Sequence, residues 1–162
     1  MERPMNELSM VNTIMFLAAS IPIATIDVQT HRIPDYLSLG LVAALILATI
    51  LIDFSYLVFC LTGAITGFLV FWLINRITQG KLGMGDAKYS GAIGAALGPI
   101  GWFWAVLFSS VLGIVLVVLL LPSRTLRRDT QIPFAPFMAT GSALALFVGA
   151  PLSRWLTTGA FH

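Results

Sequence analysis

Long apolar stretches broken by short polar segments constrain this chain more than any other feature. A bilayer crossing takes about 20 consecutive apolar residues, and inside lipid every backbone N–H and C=O must be satisfied within the segment. Stretches of this kind recur along nearly all of the 162 residues, of which 58% are hydrophobic and only 10% charged. So little charge cannot cover a soluble surface. The chain therefore reads as one integral membrane domain, 1–162, with an all-α polytopic fold. Breaks fall at Gln29 to Asp35, at Asp53, at Arg76 to Met84, at Gly98-Pro99-Ile100-Gly101 and at Ser123 to Gln131. They divide the sequence into about six spans near 9–28, 36–52, 55–75, 86–99, 102–121 and 134–151, the fourth being short for a crossing. The first residues lack the basic region of a secretory signal, although Ala18-Ala19-Ser20 imitates a cleavage site, so the first span is read as a helix of the bundle.

Nine Lys/Arg against seven Asp/Glu leave a net charge of +2, and no basic run is interleaved with aromatics, so a nucleic-acid surface is excluded. Arg32, Arg76, Lys81, Lys88, Arg124, Arg127 and Arg128 fall in the segments 29–35, 76–88 and 123–131, which six spans place on one side. Only Arg3 and Arg154 lie opposite. The positive-inside bias puts the three basic loops in the cytosol and both termini outside. The single cysteine, Cys60, lies in an apolar stretch and serves neither an internal disulfide nor a cysteine-rich zinc site. It reads as a small buried hydrophobe. With His31 in a loop and His162 at the end of the chain, no metal or cofactor is expected.

Against this background two carboxylates stand out. Asp27 ends the first span and Asp86, in Gly83-Met84-Gly85-Asp86, begins the fourth, so six spans bring them to the same membrane face from 59 positions apart. Acids in or beside a membrane span are rare and usually functional. Two carboxylates in a partly dry site share a proton and titrate as a pair. One can then take a proton from water while the other donates to a peptide carbonyl, with no metal or thiolate needed. Gly83 and Gly85 offer room for a strained turn or for a close substrate backbone. Gly63-xxx-Gly67 and Gly94-xxx-Gly98 fit small-residue helix packing. Lys88 lies about 200° round the helix from Asp86 and so should not pair with it; it either snorkels to the interface or touches the site. Asp35 after Pro34 suits a helix start, Asp53 and Asp129 suit solvated loops, and Pro133 and Pro136 shape the entry to the last span.

Three blocks, Asp27-Val28-Gln29-Thr30-His31-Arg32-Ile33-Pro34-Asp35, Gly83-Met84-Gly85-Asp86-Ala87-Lys88 and Ile132-Pro133-Phe134-Ala135-Pro136-Phe137, resemble in order and spacing the type IV prepilin peptidases, membrane aspartyl proteases of the Gly-x-Gly-Asp type. The resemblance covers roughly residues 20 to 145. It implies a multi-pass protein of the cytoplasmic membrane that cuts the short basic leader from prepilins or pilin-like proteins at the cytosolic face, after a glycine. It also implies that Asp27 and Asp86 are the two catalytic aspartates. Larger members carry a cysteine tetrad and methylate the new N-terminus; no CxxC pair is present here, so the resemblance is to a peptidase-only form and methyl transfer is not expected. The competing readings are a small transporter whose two acids relay protons or bind a cation, and a non-catalytic assembly subunit in which the acids only pair with basic residues.

Overall fold

The computed structural model describes residues 7–30, 33–80, 82–120 and 133–149. His31, Arg32, Lys81, the basic segment 123–131 with Asp129, and the end of the last predicted span lie outside the described residues.

Helices account for nearly everything described: α1 (Glu7–Thr30), α2 (Asp35–Ile52), a 3₁₀ turn (Phe54–Tyr56), α3 (Leu57–Ile77), α4 (Met84–Leu120) and α5 (Ala135–Leu144), which continues as a π-helical turn (Ala145–Gly149). Four of them are long and apolar enough to cross a bilayer, and the shorter apolar helix is 135–148. The protein is an all-α, multi-pass membrane bundle. Pro34 in extended backbone starts α2 with Asp35 as its first residue, the helix start that the sequence predicts. Asp53 lies in the turn after α2, where the sequence places it, and caps the 3₁₀ turn, accepting from the Ser55 N–H at 3.0 Å and the Ser55 hydroxyl at 2.6 Å.

α4 consists of two helical arms, corresponding to the predicted spans 86–99 and 102–121, which meet at the predicted break at Gly98-Pro99. A straight helix of 37 residues would be about 55 Å long, nearly twice the hydrocarbon thickness of roughly 30 Å. It is not straight. Gly98, at φ 70° and ψ 179°, occupies a region open essentially to glycine alone, and Pro99 follows it. Across this kink the Trp102 indole N–H reaches back to Ser90 Oγ at 2.8 Å, although twelve residues of straight helix would separate their backbones by about 18 Å.

The first arm of α4, 84–97, lies at the centre of the bundle. Residues 89–95 are buried without interruption, as only a helix surrounded by protein can be. That is why a segment short for a bilayer crossing suffices here. Its surface is mostly Gly, Ala and Ser, so neighbours approach to backbone contact: a Cβ on Gly63 would strike the Gly94 carbonyl, and one on Gly67 the Ser90 carbonyl. The two small-residue motifs read from the sequence thus pack on each other. The Ser90 hydroxyl donates to the Gly67 carbonyl at 3.0 Å and clamps the same seam. A similar contact joins the second arm of α4 to α5, where a Cβ on Gly141 would meet Ser109. Cys60 is a buried free thiol, as expected.

Candidate active site

Both candidate acids sit where helix starts and ends meet. Asp27 lies in the last turn of α1 and is only 5% exposed. Its Oδ2 accepts the Ala135 N–H at 3.0 Å, and Ala135 is the first residue of α5. The first amides of a helix have no partner within it and carry the positive end of its dipole, so a carboxylate is a fitting acceptor there. Pro133 and Pro136 flank this donor, and Pro136 stands in the opening turn of α5, where a missing N–H costs nothing. Both prolines thus stand at the start of α5, whose first amide holds Asp27.

Asp86 lies in the first turn of α4 and is partly buried. Its N–H donates to the Gly83 carbonyl at 3.2 Å. The start of α4 meets the connection between α1 and α2 through Gly85 against Ile33 and the start of α2 through Lys88 and Asp35, so Asp86 lies at the same end of the bundle as Asp27 in the last turn of α1. The segment before Asp86 is tied down at its start: the Asn75 amide donates to the Leu82 carbonyl, after α3 has ended in left-handed backbone at Gln79 (φ 55°) and Gly80 (φ 84°). Gly83 and Gly85 themselves have no positive φ, so the strained turn proposed for them does not occur; the strain lies four residues earlier, in the α3 terminus. Their role is space. A Cβ on Gly83 would stand 3.3 Å from Asp86 Oδ2, and one on Gly85 would press to 3.0 Å on the Ile33 side chain. A side chain at position 83 would crowd the Asp86 carboxylate, and one at position 85 would crowd the connection between α1 and α2.

Lys88 does not face Asp86. Its ammonium pairs with Asp35 at 2.5 Å, the lysine 19% and the aspartate 63% exposed. The lysine thus joins the start of α4 to the start of α2, and Asp35 is both a helix-start residue and its partner. Beside the Asp27 end of α1, a groove of about 300 Å³ is lined by Ala24, Thr25, Val28, Gln29 and Pro136. Among the described residues no cluster of His, Cys, Asp and Glu is arranged to hold a metal.

The sequence did not show the Ala135 amide, the Asp35–Lys88 pair or a buried Tyr89–Ser20 hydrogen bond at 2.8 Å. A backbone N–H leaves no mark in a sequence. Tyr89 did leave one, being a polar aromatic three residues after Asp86 in a run of small residues.

Fold and site together define a class: a membrane-embedded helical bundle with two carboxylates gathered at one end of its helices. Residues 14–118 match the Type IV leader peptidase family, and the chain belongs to that family. It is 34% identical over 139 residues to the prepilin leader peptidase/N-methyltransferase of Burkholderia pseudomallei, an alignment that covers 83% of this chain and 45% of that protein. The protein of the same name from Aeromonas hydrophila is 33% identical over 138 residues, covering 82% and 48%. That from Pseudomonas aeruginosa is 36% identical over 135 residues, covering 80% and 46%. The chain spans about half the length of these curated relatives. No solved structure matches it.

Proposed function

We propose that the chain is an aspartyl endopeptidase of the cytoplasmic membrane that removes the basic leader from type IV prepilins or pilin-like proteins at the cytosolic face. The observation that supports this reading is the placement of Asp27 and Asp86 at the same end of the bundle, with Asp27 held by the α5 N-terminus. Family membership and the names of the relatives supply the substrate class.

In the proposed reaction one carboxylate takes a proton from a water molecule as its oxygen attacks the scissile carbonyl carbon. The other, protonated, donates to the carbonyl oxygen, which gives a neutral tetrahedral diol. As the diol collapses, the second carboxylate takes back a proton from a diol hydroxyl, the carbonyl re-forms, the C–N bond breaks, and the leaving amine takes up from the first carboxyl group the proton that came from water. No covalent intermediate forms. In this reading the lack of a side chain at Gly83 leaves room near Asp86, and the groove lined by Ala24, Val28 and Pro136 is assigned to the substrate. Lys88, Pro133 and Pro136 shape the site through Asp35 and the α5 entry. Peptide hydrolysis is assigned to these residues, and methyl transfer is not.

Co-expression with a candidate prepilin, with loss of the leader followed by gel shift, tests the proposal. The native chain is expected to process the prepilin, while inserted and stable Asp27→Asn and Asp86→Asn are expected to leave it intact. Processing that survives either substitution would refute the dyad.

A further inference from the structure

The helices that carry the two aspartates share little surface: α4 packs mainly on α3 and α5, and only narrowly on α1. Within that narrow contact lies one buried polar link. Tyr89 follows Asp86 by three residues and Ser20 precedes Asp27 by seven, so each lies on the helix face of its aspartate. Tyr89 is 0% exposed and Ser20 3%. The Ser20 hydroxyl donates to the Phe16 carbonyl at 2.7 Å, so its lone pairs are left to accept the Tyr89 hydroxyl at 2.8 Å. The tyrosine ring stacks on Phe16, centroids 6.1 Å apart and planes 17° apart.

Apolar packing alone would not require a tyrosine here. A buried hydroxyl without a partner is costly, whereas a paired one fixes a single point on each helix and so sets both rotation and translation. Side-chain tips stand about 5–6 Å from a helix axis, so a rotation of only about 10° would move a carboxylate by roughly 1 Å. Displacement of that size can slow a reaction on the order of 100-fold. We propose that the Tyr89–Ser20 hydrogen bond is a positioning contact that sets the separation of the two aspartates. The proposal rests on the aspartyl reading above.

Thiol cross-linking reads this separation without activity. In a Cys60→Ser background, Asp27→Cys/Asp86→Cys is treated in membranes with bifunctional methanethiosulfonates of graded length, alone and with Tyr89→Phe or Ser20→Ala added. One preferred length is expected for the pair, shifted or broadened by either addition. An unchanged length dependence overturns the proposal. With aspartates intact and a purified prepilin that the native chain cleaves, Tyr89→Phe and Ser20→Ala are each expected to lower kcat roughly tenfold or more with KM unchanged. The double variant should be no worse than either single one, because both remove the same bond. Additive losses, or an effect on KM alone, count against it. A cross-linking response in a chain that cleaves no prepilin would refute the peptidase reading and still support the positioning contact.

Discussion

Two junctions hold this bundle together in opposite ways. Along the seam of α3 and the first arm of α4, Gly63 and Gly67 lie on Gly94 and Ser90 at backbone distance. Around the aspartates, contact is made by polar atoms at single points: Asp27 to Ala135, Lys88 to Asp35, Tyr89 to Ser20. Lipid explains the contrast. Helices in a bilayer gain nothing from hiding apolar side chains from one another, so a rigid seam is built from small residues that permit close van der Waals packing. Polar groups in the same medium must find partners, and each partner fixes a direction. The seam makes a scaffold, and the junction aims side chains from it.

If this division is right, substitutions in the junction should impair chemistry at preserved stability, and substitutions in the seam the reverse. The largest effect is expected for Asp27→Asn. Its amide oxygen can still accept the Ala135 N–H, so insertion and thermal stability should hold while cleavage falls on the order of 1,000-fold; initial rates beside thermal melts in detergent check both halves. Next is Gly63→Val, whose side chain would push against the backbone of Gly94 and Gly98. A loss above about 3 kcal/mol is expected, seen as depleted protein in membranes, and a folded, abundant Gly63→Val would contradict the seam. Gly98→Ala should cost about 1–3 kcal/mol through its backbone conformation, read as a lower melting temperature in detergent. Ser90→Ala, which removes the hydrogen bond to Gly67 and the acceptor of the buried Trp102 indole N–H, should cost about 1–2 kcal/mol, measurable as a shift in a steric-trapping or melting assay. The smallest effect on stability is that of Lys88→Met, about 0–1 kcal/mol for a partly exposed pair. Activity sharpens this case: charge exchange in Asp35→Lys/Lys88→Asp should restore part of what either single change loses.

Both junctions also show what could be read in advance. Gly63-xxx-Gly67 and Gly94-xxx-Gly98 were visible because the spacing that puts residues on one helix face is local. Their pairing with each other was not, being a matter of which helices become neighbours. Asp27 and Asp86 were visible because acids beside membrane spans are rare. The role of Lys88 stayed open in the sequence: helix geometry ruled out Asp86 as its partner but could not name Asp35, 53 positions away.

By itself, the sequence determined the all-α membrane class, the helix breaks, the small-residue motifs and the two candidate acids, because the bilayer sets segment length and local periodicity sets helix faces. Tertiary structure alone decided that 84–97 is the buried centre of the bundle, that the predicted break at Gly98 turns the chain so that Trp102 meets Ser90, and that the Ala135 amide holds Asp27. These depend on long-range packing and on backbone groups that every residue but proline carries alike.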